Sequence, residues 1–128
     1  MFALICSARA LPLSLSPQDE AARNVALQWL EVVDSGNYKD AALMMSEAVR
    51  ASRDWSNYLG RQRAALGRVN KRHPVEVKHA STFPGAADVR NYAVVRFKTS
   101  FERRSPAMEE VGLAKMGCCW EVMSYEMK

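Results

Sequence analysis

The sequence predicts an α+β domain with its helices first and an antiparallel sheet after them. Apolar residues recur at three- and four-residue steps as far as Leu66, and after Pro74 they recur at every second residue. The length of 128 residues suits one domain with its own hydrophobic core. Three N-terminal helices packed on one face of a four-stranded sheet satisfy all three observations.

The first helix has the clearest start and stop. Ser16 can cap it, Pro17 fits the first helical position where no N–H is needed, and Asp19 and Glu20 suit the positive end of the helix dipole. Ala22, Val25, Ala26, Trp29, Val32 and Val33 form one apolar face, and Gly36 stands where a C-terminal cap belongs. "YKDAALMMSEAV" predicts a second helix with Tyr38, Ala41, Ala42, Met45, Ala48 and Val49 on one stripe. "SRDWSNYLGRQRAALG" predicts a third, capped by Ser52, with Trp55, Leu59 and Leu66 facing inward and Gly67 near its end. Gly60 weakens that helix by about 1 kcal/mol relative to alanine.

The strands follow. "VEVKHASTF" puts Val75, Val77, His79, Ser81 and Phe83 on one face. "PGAADVRN" reads as the turn after it. "NYAVVRFKTSF" puts Ala93, Val95, Phe97, Thr99 and Phe101 on one face, with Arg96 and Lys98 on a wet side. "AMEEVGLAKM" and "CWEVMSYEMK" complete a meander around Gly117.

Composition narrows the class without naming an activity. Apolar content of 48% and charged content of 25% exclude a disordered chain. A net charge of +4 favours anionic surfaces but identifies no partner. No stretch approaches the ~18 apolar residues of a membrane span, so the chain is not read as an integral membrane protein. "MFALICSARA" ends in a small-x-small pattern after a five-residue apolar run, Phe2 to Cys6. It reads as the tail of a signal peptide that starts upstream, or as a flexible extension, which makes 1–16 a leader remnant and 17–128 the domain. Removing it would take Cys6 and leave Cys118 and Cys119 as the remaining cysteines.

Several short motifs, in this order and spacing, resemble a family of small bacterial envelope proteins known as domain of unknown function 4019. They are Trp29; Trp55 with Arg63, Leu66-Gly67 and Arg72; "FPGAADVRNYAVVRFKTSFE"; "MEEV"; and "W-E-V-x-x-Y" from Trp120 to Tyr125. The resemblance runs from about Ala22 to Lys128. It implies a periplasmic or secreted protein, without excluding the cytoplasm. It also implies a cone-like fold, similar to the nuclear transport factor 2-like and cystatin-like group, in which a curved sheet wraps the first helix around a cavity. It implies no activity. Three features depart from the family pattern: the short leader, Glu121 in place of a basic residue, and two residues instead of one between Gly117 and Trp120.

Candidate site residues are few. His79 shares a strand face with Val77 and Phe83 and could look into such a cavity, with Glu109 or Glu110 as its acid–base partner. The two glutamates alternate across a strand, so one points inward, where an ion pair with Arg96 or Arg63 is the plainer role. His73 precedes Pro74 in a basic run and reads as solvated. Arg61, Arg63, Arg68, Lys71 and Arg72 could neutralise phosphates, but no aromatic stacking platform accompanies them, so no nucleic-acid partner is expected. Trp29, Trp55, Phe97 and Phe101 are candidate ligand-lining residues if the cone holds a pocket, and core residues otherwise. Met108, Met116, Met123 and Met127 sit at mixed parity, which suits core filling better than a copper site. No motif calls for a cofactor or a metal.

The leading functional reading is a non-enzymatic envelope module that binds a small apolar ligand or a protein partner. The alternative is a small-molecule enzyme using the His79 pair. A homodimer formed through sheet faces would show an exposed apolar patch around Tyr92 and Val94.

Cys118 and Cys119 lack the further ligands a zinc site takes. A bond between neighbouring cysteines strains the peptide between them, and an intermolecular disulfide needs an exposed bend. The preferred reading is a bulged hairpin in which both behave as small apolar side chains. It puts Cys119, Met123, Tyr125 and Met127 on one face of the last strand and Trp120 and Val122 on the other, leaving Glu121 out of pattern.

Overall fold

Ser16 opens the first helix, α1 (Pro17–Asp34), by accepting a hydrogen bond from the Asp19 backbone N–H at 3.1 Å. A computed structural model of the chain describes residues 15–83 and 86–128, and the backbone alone between 80 and 90. The leader reading for residues 1–14 and the Pro84-Gly85 breaker lie outside the described residues. Buried along α1 are Ala22, Ala26, Trp29, Leu30 and Val33.

The expected second helix is two helices, α2 (Tyr38–Leu43) and α3 (Glu47–Arg50). Between them Met45 makes a parallel bridge to Val122, and the Ser46 N–H donates to the Val122 carbonyl at 2.8 Å. Ser46 explains the break. A serine inside an apolar stripe offers the backbone an alternative hydrogen bond, and here its Oγ accepts from the Ala48 N–H at 3.3 Å to start α3.

The last helix, α4 (Trp55–Leu66), is capped by Asp54 and not by Ser52. Asp54 Oδ1 accepts from the Asn57 N–H at 3.1 Å, while Ser52 Oγ donates to the Val49 carbonyl at 2.6 Å. Gly67, at φ +80°, turns the chain out of α4.

The sheet is an antiparallel meander of β1 (Val69–Phe83), β2 (Ala86–Phe101), β3 (Arg104–Met116) and β4 (Cys119–Met127), in that spatial order. β1 begins at Val69 and not at Val75, so the expected basic loop is strand. A register shift between Pro74 and Glu76 accommodates Pro74, which has no N–H to give a ladder, and two more fall at Val69/Lys71 and Thr82/Phe83. The place of Pro74 on an edge strand makes that tolerable. Val75 falls in the shift after Pro74 and is 46% exposed, so it leaves the apolar face expected of it. β2 follows its alternation: Ala93, Val95, Phe97, Thr99 and Phe101 are all buried.

The helices cover one face of the sheet. Trp29 is 1% exposed, its indole N–H donates to the Ala41 carbonyl at 2.8 Å, and its ring lies 5.6 Å from that of Tyr125. Burying such side chains contributes about 1.5–3 kcal/mol each, and this layer joins α1, α2 and the sheet into one core. Leu66, Phe101 and Ala107 form a smaller second cluster at the end of α4.

Two readings of the last hairpin need correction. The extra residue of β4 is Met123 and not a cysteine, because Gly112 pairs with Ser124 while Leu113 pairs with Val122. This bulge reverses parity midway, so Trp120, Val122 and Tyr125 share the helix-covered face and all three are buried. The cysteines form a disulfide with each other, and both are exposed. Met116 pairs with Cys119, so Gly117 and Cys118 make a two-residue turn. Gly117 has φ +70° at the first position, as such hairpin turns require.

Candidate functional site

All four strands and two helices meet in a cluster of charges beneath α1. Glu109 of β3 is fully buried. Its Oε1 accepts from Arg72 Nε at 2.7 Å and from Thr99 Oγ1 at 2.6 Å, and its Oε2 accepts from Arg72 Nη2 at 3.1 Å and from the Tyr125 hydroxyl at 2.5 Å. Thr99 comes from β2 and Tyr125 from β4. Arg72 of β1 reaches on to Asp34, the last residue of α1, with Nη1 to Oδ2 at 2.8 Å and Nη2 to Oδ1 at 3.1 Å. Arg63 of α4 donates from Nη2 to the same Asp34 Oδ1 at 2.6 Å. Two carboxylates and two guanidiniums thus alternate as Glu109, Arg72, Asp34 and Arg63.

The electrostatics follow from that alternation. A carboxylate at a helix C-terminus faces the negative end of the dipole, and burial would also raise the Asp34 carboxyl. Hydrogen bonds and charge from Arg72 and Arg63 outweigh burial and hold it below its ordinary value. Burial lowers Arg72, but Asp34 and Glu109 overcome that and raise it. Burial first, then the neighbouring Glu109 charge, pushes the Tyr125 hydroxyl well up. Tyr125 therefore stays protonated and able to donate.

Arg63 is less well matched. It is 5% exposed, its Nε and Nη1 have no hydrogen-bond partner, and its guanidinium carbon lies 5.1 Å from the Phe101 ring centre. Stacking on the aromatic face offsets part of the missing hydrogen bonding. An open cleft beside Asp34 and Arg63 is rimmed by Tyr38, Arg68, Glu102 and Arg103.

The sequence candidates are dispersed among these features. Glu109 points inward and Glu110 outward, as alternation requires, but the inward partner is Arg72, not Arg63 or Arg96. Glu110 pairs with Arg96 at 2.9 Å, and Arg96 also holds Glu76 at 2.5 Å, on the uncovered face of the sheet. The imidazole of His79 is 45% exposed, and its Nε2 is paired with Asp19 of α1. His79 and Glu109 are not brought together. His79 and Glu110 border one open depression, where Arg96 occupies the Glu110 carboxylate.

Trp29 and Phe97 lie in the main core and Phe101 in the smaller cluster. Trp55 is 7% exposed and donates its indole N–H to the Val49 carbonyl at 2.9 Å. Trp55 belongs to the same core cluster as Trp29 and Phe97. Tyr92 is 9% exposed and hydrogen-bonded to Ser124, so it offers no exposed patch, and Val94 is half-buried. Among the described residues no group of three or more His, Cys, Asp or Glu could hold a metal ion, and no helix is long and apolar enough to cross a membrane.

Arg72 is the central residue that sequence reasoning missed. In the sequence it stands in a basic run, and the signal that could have found it is its parity with Thr99 and Glu109 once β1 is extended back to Val69.

Fold and site together define an α+β protein whose helical layer is tied to an antiparallel meander by a buried ionic cluster. The chain belongs to the family described as protein of unknown function (DUF4019), which it matches over residues 25–125. That span includes Asp34, Arg63, Arg72, Thr99, Glu109 and Tyr125, the whole cluster. Comparison with curated proteins and with solved structures found no match.

Proposed function

We propose that this chain is a non-enzymatic envelope module that binds a protein partner on its helical surface. One observation carries the reading. Of the large hydrophobic side chains exposed among the described residues, Leu43 at 58% and Met44 at 50% are adjacent. Lys39, Arg50 and Arg53 surround Leu43 together with Trp55. The Arg53 guanidinium stacks over Trp55 at 4.8 Å and Tyr58 at 4.3 Å. Trp, Tyr and Arg are the residue types that most often carry binding energy at interfaces. Leu43 and Met44 also border a depression that carries Glu47 and Glu121, so acids and bases balance around the patch and it favours a partner segment that is apolar.

The buried site supports the non-enzymatic part of this reading. Both oxygens of Glu109 are committed to hydrogen bonds, which leaves no lone acid or base facing a substrate. Space between α1 and the sheet is taken by Trp29, Phe97 and Tyr125, which favours the partner over a small apolar ligand. The Cys118–Cys119 disulfide and the family resemblance favour a periplasmic or secreted location, because disulfides persist in oxidising compartments.

The test is native mass spectrometry of the protein purified from its own envelope, as wild type and as the variants Leu43→Glu, Arg53→Glu and Lys98→Glu. A protein adduct lost in the first two and kept in Lys98→Glu, on the uncovered sheet face, supports the proposal. An adduct indifferent to Leu43 and Arg53, a small-molecule mass alone, or a self-dimer resistant to all three overturns it.

A further inference from the structure

The Cys118–Cys119 bond contributes little to the fold. A disulfide stabilises chiefly by closing a loop in the unfolded chain, and this one spans a sequence separation of one. Gly117 and the Met116–Cys119 and Lys115–Trp120 pairs already hold the turn. The bond is exposed at the end of a hairpin. Adjacent Cα atoms, here 3.8 Å apart, also stand closer than the roughly 4.4–6.8 Å that disulfides ordinarily bridge. Exposed disulfides under such constraint are the ones that thiols reduce readily.

We propose that the β3–β4 turn is a thiol–disulfide exchange site that accepts two electrons from a dithiol donor. A donor thiolate attacks one sulfur of the pair. The Cys118–Cys119 bond breaks, a mixed disulfide forms, and the other cysteine leaves as a thiolate and takes a proton. The donor's second thiol then attacks the mixed disulfide from its own side and releases the remaining cysteine. The donor ends as a disulfide and the turn as two thiols, so two electrons and two protons have been transferred.

A dithiol has the advantage at this site. A monothiol forms a mixed disulfide that waits for a second monothiol, while the freed cysteine beside it can expel the first. A dithiol resolves the intermediate intramolecularly and escapes that reversal. Exchange at this exposed turn leaves the buried layer untouched.

Differential alkylation of the full-length, folded protein tests this, read on tryptic peptide 116–128, which contains Cys118 and Cys119 but not Cys6. Without reductant the peptide should be unalkylated and lighter by two hydrogens than the reduced form. After brief exposure to dithiothreitol in native buffer it should carry two alkyl groups, with the circular dichroism unchanged. Glutathione at the same thiol concentration should leave most of it unalkylated. The Cys118→Ser variant should alkylate once at Cys119 with no reductant. Reduction that requires denaturant, alkylation of the wild-type pair before any reductant, or equal reduction by glutathione overturns the proposal.

Discussion

Arg72 grips Glu109 through two parallel hydrogen bonds, Nε to Oε1 at 2.7 Å and Nη2 to Oε2 at 3.1 Å, across an intervening strand. Thr99 lies between them and adds a third bond to the same carboxylate. Glu109 is fully buried, and Arg72 is the cation that it pairs with. Replacing Arg72 by methionine is expected to cost about 3–5 kcal/mol, the usual cost of stranding a buried charge. Arg63→Met should cost nearer ~1 kcal/mol, since Asp34 keeps Arg72 and two unpartnered donors are removed with the side chain. Urea unfolding of the two variants checks the order. The double variant Arg72→Met with Glu109→Leu should recover much of the loss.

Stability should fall at both ends of the pH scale. The Asp34 carboxyl is lowered from 3.8, so its contribution is complete above that value and is lost as pH falls through the lower folded value. Tyr125 is raised from 10.0, so above about pH 10 the unfolded chain loses a proton that the native state keeps, and stability drops as pH rises. Tyr92 acts in the same direction. Unfolding free energies measured across pH should show an acid limb weakened in Asp34→Asn and an alkaline limb weakened in Tyr125→Phe.

Gly112 is a packing requirement of the uncovered sheet face. A Cβ there would stand 2.3 Å from both Ser124 Oγ and the Tyr92 hydroxyl. Gly112→Ala is therefore expected to destabilise by about 1–3 kcal/mol through overpacking. Gly112→Ala combined with Ser124→Ala and Tyr92→Phe should cost less than the sum of the separate changes, as thermal melts would show.

Capping discriminates between neighbouring residues. Asp54→Ala should cost about 1 kcal/mol because it removes the acceptor for the Asn57 N–H. Ser52→Ala loses a bond to the Val49 carbonyl but leaves α4 capped, so its helical content should be unchanged by circular dichroism.

The inward face of β2 was legible because five alternating residues are all buried by one helical layer. α1 was legible from its cap and its stripe together. The break at Ser46 was half hidden: the serine that starts α3 stands in the sequence, but the Val122 carbonyl that its N–H bonds lies far along the chain. Met123 was hidden for a related reason: the parity of β4 changes beside it, but a bulge is a relation between two strands, and only the pairing with Gly112 and Leu113 shows which residue is extra. The site was half visible. Alternation separated Glu109 from Glu110, but Arg72 sits among Arg68, Lys71 and His73, where charge density suggests solvent and only register reveals a partner.

Both borders of the sheet are occupied or spoiled. Ser46 and Tyr58 bond the Val122 and Tyr125 carbonyls of β4, while β1 carries Pro74, three register shifts and the exposed Lys71 and Lys78. A stray strand from another chain finds the ladder interrupted on both sides. Recognition is thereby tilted toward side chains, which are particular to this protein, and away from the backbone common to all chains.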